Sequence, residues 1–123
     1  MKLLIVEDED VLARVLREKF EGNNFKVEVA TTGDVVLSLV QKLKPDIILL
    51  DILLPKMDGL EVLAQLKADE DVHNIPVIIM SNLDDDERIT KGIKLGAVDY
   101  LVKTQHPVNE VVEKVNQYIL KPR

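Results

Sequence analysis

Three short apolar runs constrain this chain more than any other feature: Leu3-Leu4-Ile5-Val6, Ile47-Ile48-Leu49-Leu50 and Val77-Ile78-Ile79-Met80. None carries a helical period and none alternates with polar residues. A strand that is apolar on both sides must be covered on both sides, as the inner strands of a parallel sheet are when helices pack on each face. Two more polar segments, Phe25-Lys26-Val27-Glu28-Val29 and Val98-Asp99-Tyr100-Leu101-Val102, suit the sheet edges. Between these runs apolar residues recur at three and four: Val11, Leu12, Val15, Leu16 and Phe20; Val36, Leu39, Val40 and Leu43; Leu60, Leu63 and Leu66; Val108, Val111, Val112, Val115 and Ile119. A fourth helix, from about Asp85 to Leu95, has only Ile89 and Ile93 as anchors and is expected to be loosely held. Gly22-Asn23-Asn24 stops the first helix, Thr32-Gly33 opens the second, Lys44-Pro45 closes it, and Pro107 suits the first turn of the fifth.

Strict alternation of strand and helix implies right-handed crossovers and an open α/β sheet in three layers. With the apolar strands inside and the polar ones outside, the five parallel strands take the order 2-1-3-4-5, the flavodoxin-like arrangement. Its ligands bind where the strand order reverses, beyond the carboxyl ends of the first and third strands. The length of 123 residues suits one domain over positions 1–123, and 46% apolar against 31% charged residues suffices for one core. A formal net charge of −6 has the wrong sign for gripping nucleic-acid backbones or anionic lipid. The absence of cysteine excludes disulfides, thiolate zinc sites and thiol catalysis. The longest apolar stretch, Ile47 to Pro55, is interrupted by Asp51 and is far short of a membrane span, and no signal peptide precedes the first strand, so a cytoplasmic protein is expected. Lys121-Pro122-Arg123 reads as a candidate linker stub.

The residues just past the five strands are Glu7-Asp8, Thr31-Thr32, Asp51, Ser81 and Lys103. Glu7, Asp8 and Asp51 brought together would repel one another and call for a compensating cation. Oxygen donors without Cys or His select Mg²⁺ or Mn²⁺ over zinc. A carboxylate between such an ion and the Lys103 ammonium is equipped to attack phosphorus, because both cations absorb charge on the phosphoryl oxygens. Asp51 is the central candidate.

Four runs, in order and at these spacings, resemble the bacterial response-regulator receiver domains, the CheY-like family. They are Leu4-Ile5-Val6-Glu7-Asp8-Glu9, Asp46 to Gly59 with its Leu49-Leu50-Asp51-Ile52-Leu53-Leu54-Pro55 centre, Pro76-Val77-Ile78-Ile79-Met80-Ser81, and Gly96-Ala97-Val98-Asp99-Tyr100-Leu101-Val102-Lys103. The resemblance covers essentially the whole chain. It implies a switch in a two-component system or phosphorelay, which accepts a phosphoryl group on Asp51 from a histidine kinase or histidine phosphotransfer protein. It implies Mg²⁺ on Asp8, Asp51 and the Leu53 carbonyl, with Glu7 acting through water. Ser81 takes the hydroxyl position that binds a phosphoryl oxygen, Lys103 the basic position, and Tyr100 the aromatic switch that enters space vacated by the loop after the fourth strand. Pro55 and Gly59 shape the loop after the acceptor strand. A downstream effector protein or domain would read the face made by helix 4, strand 5 and helix 5, and homodimerisation through that face is compatible with the pattern.

The chain departs from that family at several positions. Lys103 is followed by Thr104 where a proline is usual, and a cis bond there would cost roughly 3 kcal/mol. Glu7 stands where Asp is commoner. The positions two after the acceptor and two after the hydroxyl are Leu53 and Leu83, neither of which can orient water, so self-dephosphorylation is expected to be slow. Glu9, Asp10 and the run Asp84-Asp85-Asp86-Glu87 read as acids favouring helix N-termini. Asp58 reads as a turn residue, Asp69-Glu70-Asp71 as a solvated helix end and Asp99 as a loop or edge-strand cap, and His73 and His106 are given no ligand role. An aspartyl-nucleophile hydrolase would place an acid at Leu53, and a flavin-binding protein would not carry Glu7-Asp8-Glu9-Asp10 beside a phosphate. The protein is therefore expected to be a signalling receiver and no enzyme beyond its own phosphoryl transfer, with an unphosphorylated pseudo-receiver binding module as the alternative.

Overall fold

The computed structural model describes residues 1–120, so the linker-stub expectation at 121–123 lies outside the described residues. Along the chain run β1 (Lys2–Val6), α1 (Asp10–Glu21), β2 (Lys26–Ala30), α2 (Val36–Leu43), β3 (Ile47–Leu50), α3 (Gly59–Ala68), β4 (Val77–Ser81), α4 (Asp86–Leu95), β5 (Asp99–Val102) and α5 (Val108–Leu120). The strands form one parallel sheet in the order β2-β1-β3-β4-β5, as the alternation predicts. Val6 lies opposite Leu50 and Ala30, which brings the carboxyl ends of three strands level.

Strand parity divides the core in two. Leu4, Val6, Ile48, Leu50, Val77, Ile79, Tyr100 and Val102 face α2, α3 and α4, and pack on residues such as Val40, Leu63 and Leu66. Leu3, Ile5, Ile47, Leu49, Ile78, Met80 and Leu101 face α1 and α5, and pack on Leu16, Phe20, Val111 and Val115. The Phe20 and Phe25 rings meet edge to face with centroids 5.2 Å apart, closing the turn from α1 into β2.

Three expectations about local structure need correction. Val11 and Val15 are 70% and 43% exposed; the inward stripe of α1 is Ala13, Leu16 and Phe20. Leu12, Leu16 and Phe20 repeat at four with Ala13 beside them, and the face they form leaves Val11 and Val15 on the outer flank. Ile93 is likewise not an anchor but 45% exposed, and in α4 only Gly92 is buried. A Cβ on Gly92 would lie 2.6 Å from Ile79 Cδ1, so α4 approaches β4 through a residue without a side chain, with Ile89 and Leu95 packed beside it. Pro107 stands at the start of the first turn of α5, as expected, its carbonyl accepting from the Glu110 and Val111 N–H groups. Thr32-Gly33 leads first into a single 3₁₀ turn, Gly33–Val35, and only then into α2. Lys44 ends α2 in the left-handed region at φ 49°.

Candidate functional site

Among the described residues three polar or charged side chains are buried, Glu7, Asp51 and Ser81, and each directly follows or ends an inner strand at its carboxyl end. Their place follows from parallel pairing: three strands of matched register finish together, and whatever follows them converges. Glu7, Asp8 and Asp51 each offer an oxygen within 4.8 Å of the others. Lys103, just past β5, reaches into the same place. Its Nζ lies 2.6 Å from Glu7 Oε1, 3.0 Å from Asp51 Oδ2 and 3.5 Å from Glu9 Oε2.

The bond between Lys103 and Thr104 is trans, as are all peptide bonds among the described residues. Lys103 is held without a following proline: its N–H donates to the Ser81 carbonyl at 2.9 Å, extending the β4–β5 ladder by one bond, and Gln105 N–H donates to the Val102 carbonyl at 2.9 Å, closing a turn. The acceptor loop is shaped by Gly59. Its N–H donates to the Ile52 carbonyl at 2.8 Å, and a Cβ there would lie 2.1 Å from the Asp51 carbonyl oxygen, so the chain folds back on the acceptor only because no side chain intervenes. Asp58 is more than a turn residue: it caps α3 by accepting from Leu60 N–H at 2.7 Å. Asp51 Oδ1 accepts from Leu53 N–H at 3.4 Å, leaving Oδ2 to Lys103.

The hydroxyl and aromatic candidates meet on the other side of Asp51. Ser81 Oγ accepts from Leu83 N–H at 3.2 Å, and the Tyr100 hydroxyl donates to the Leu83 carbonyl. The resemblance has this ring enter space vacated by the β4–α4 loop; here the ring sits inside, 9% exposed and next to Ser81. Asp99 accepts from Tyr100 N–H at 2.8 Å and from the Tyr118 hydroxyl at 2.9 Å, tying the edge strand to α5. Thr32 turns away from the acids, its hydroxyl donating to Asp34 at 2.6 Å within its own turn.

Burial sets the electrostatics. Desolvation pushes the Glu7 carboxyl above its ordinary value, against the pull of the Lys103 ammonium. Lys103 would itself be driven towards neutrality by burial, but the hydrogen bonds and charges of Glu7 and Asp51 outweigh this and raise its pKa. Glu7 Oε1 is buried, and its partner is the Lys103 ammonium at 2.6 Å. Three carboxylates with oxygens within 4.8 Å of one another, met by one ammonium, form an all-oxygen donor set whose remaining negative charge fits a hard divalent cation.

A cleft of about 180 Å³ opens over this arrangement, lined by Asp8, Glu9, Asp51, Leu53, Asn82 and Lys103. Leu53 stands at its rim, 59% exposed, whereas Leu83 packs against the core and does not line it. Glu9 and Asn82 are the residues that sequence reasoning missed. Asn82 directly follows a strand that ends in the site, which was a usable signal. Glu9 occupies the N-cap of α1 but makes no side-chain cap hydrogen bond; its carboxylate turns to Lys103 instead, against the expectation of a helix-favouring acid.

The family profile described as "Response regulator receiver domain" matches residues 3–121. The response regulator PleD of Caulobacter vibrioides is 34% identical over 111 residues, 90% of this chain and 24% of PleD. The DNA-binding response regulator MtrA of Mycolicibacterium smegmatis is 34% identical over 114 residues, 93% of this chain and 48% of MtrA. The chain thus spans between a quarter and a half of these curated relatives. The BeF3-activated N-terminal receiver domain of Klebsiella pneumoniae RstA superposes with a TM-score of 0.89 at 26% identity, covering 98% of this chain and 100% of that one. Together with the sheet order and the acidic pocket, these matches show that the chain belongs to the receiver-domain family of two-component response regulators.

Proposed function

We propose that this receiver domain is a phosphorylation switch whose acceptor is Asp51. The observation that carries the reading is the single ammonium of Lys103 held by both Glu7 and Asp51 at the end of the inner strands. In the transfer an Asp51 carboxylate oxygen forms a bond to phosphorus, while the bond from phosphorus to a donor imidazole nitrogen breaks and its electron pair stays on the nitrogen. Lys103 then donates to a phosphoryl oxygen and the Ser81 hydroxyl to another. Asp8, Asp51 and the Leu53 carbonyl would hold Mg²⁺, with Glu7 acting through water. When bound, the ion supplies positive charge to the equatorial phosphoryl oxygens.

Recruiting Ser81 to the phosphoryl group draws on the hydroxyl that now accepts from Leu83 N–H, and Leu83 carries the carbonyl that holds Tyr100. The chemistry is thereby linked to the β4–α4 loop, and the α4, β5 and α5 face changes its affinity for a downstream effector by population shift. The donor is a histidine kinase or a histidine phosphotransfer protein.

Intact mass after incubation with acetyl phosphate and Mg²⁺ tests the acceptor. Wild type is expected to gain one phosphoryl group, and Asp51→Ala or chelation to abolish the gain. A folded, Mg²⁺-binding wild type that gains nothing would support the pseudo-receiver instead.

A further inference from the structure

Glu9 lies outside the group of carboxylates able to share one cation, Glu7, Asp8 and Asp51. Its oxygen nevertheless stands 3.5 Å from the same ammonium that Asp51 Oδ2 approaches at 3.0 Å, and its side chain is 61% exposed at the mouth of the cleft. The charges of Glu7 and Asp51 are met first by Lys103, which contacts both more closely, so Glu9 adds a negative charge that the site does not neutralise. A phosphoryl donor entering the cleft to reach Asp51 comes within range of that charge.

We propose that Glu9 is a specificity-determining residue for the phosphoryl donor, slowing dianionic donors relative to less charged ones by its charge at the cleft mouth. The inference rests on the reading of Asp51 as acceptor. Acetyl phosphate is a dianion near neutrality; as Asp51 forms its bond to phosphorus, the bond to the acetyl oxygen breaks and acetate leaves with the electron pair. Phosphoramidate carries one net negative charge, because its nitrogen is protonated; its phosphorus–nitrogen bond breaks and ammonia leaves with the pair. A unit charge at this range in a water-like medium changes the approach of one extra negative charge by about threefold, and salt screens the effect. A phosphoryl group on a protonated imidazole also carries one net negative charge and would be less hindered than acetyl phosphate, which favours protonated phosphohistidine over free acyl phosphates.

The test compares incorporation rates from the two donors in wild type, Glu9→Gln, Glu9→Lys and Glu18→Gln, each at a Mg²⁺ concentration shown to saturate that variant. Glu18 is exposed on α1 and makes none of the cleft contacts, so it controls for net charge. The expected result is that the acetyl phosphate to phosphoramidate rate ratio rises about threefold in Glu9→Gln and about tenfold in Glu9→Lys at low ionic strength. The differences should close in molar salt, with Glu18→Gln matching wild type. A Glu9 that merely positions Lys103 would shift both rates together, and an unchanged ratio with active proteins overturns the proposal alone. A ratio shifted equally by Glu18→Gln also overturns it. No incorporation from either donor into any variant overturns the acceptor reading, and this proposal with it.

Discussion

Lys103 holds the site's charge balance at the scale of single residues. Its side chain is 11% exposed and that of Glu7 1%, so removing the ammonium leaves a buried carboxylate without its counter-charge. Lys103→Met is expected to lose about 3 kcal/mol in urea unfolding with chelator present, and Mg²⁺ should restore part of the loss because it binds only the folded state. Equal stability of variant and wild type in chelator would contradict the pairing. On the proposed reading, Leu53→Asn offers a polar group at the rim where the wild type has an alkyl chain, and phosphoryl loss followed by mass should speed up about tenfold or more. Asp51 and Glu7 were legible in the sequence because each follows a strand recognisable by its apolar run, and Lys103 because it follows the more polar edge segment that completes the alternation. The contact of Glu9 was not, since an acid at a helix start is usually explained by the helix, and only the folded chain shows that its carboxylate has Lys103 to meet.

At the scale of elements, Gly59 and Gly92 make opposite predictions. A Cβ on Gly59 would meet backbone, the Asp51 carbonyl oxygen at 2.1 Å and Ile52 Cα at 2.6 Å, so Gly59→Ala must displace the acceptor loop. A loss of roughly 2–3 kcal/mol in denaturant unfolding is expected. A Cβ on Gly92 would meet the tip of a flexible side chain, Ile79 Cδ1, and alanine also improves helix propensity by roughly 1 kcal/mol, so Gly92→Ala should come out near neutral. The reverse ranking would contradict this account of how α3 and α4 are seated. Strand positions, to within a residue, and helix order were readable from the apolar runs and stop signals. The facing of α1 and α4 was not, because Val11, Val15 and Ile93 fit a helical stripe equally well, and the small residues Ala13 and Gly92, which carry no apolar signal, lie on the buried side.

For the whole molecule, topology was the most legible level, because strict alternation and two polar edge strands leave few arrangements open. No helix among the described residues is long and apolar enough to cross a membrane. Stability at high pH is also a property of the whole. Burial raises the Tyr100 and Tyr118 hydroxyls above their ordinary 10.0, and the acids around Lys103 hold it above 10.5 against its burial. Each binds its proton more tightly folded than unfolded, so this stability is intact below about pH 10 and falls as pH rises through the folded values. The thermal midpoint should therefore decline above pH 10, less steeply in Tyr100→Phe; a flat profile there would contradict the assignment. The central claim joins the acceptor to a distant face, and hydrogen exchange with and without beryllofluoride and Mg²⁺, in wild type and Asp51→Ala, tests it most directly. The account predicts altered protection in the β4–α4 loop and α4, little change in β1 and β3, and no response in Asp51→Ala. Unchanged α4 in a protein that binds the ligand, or the same change in Asp51→Ala, would contradict it.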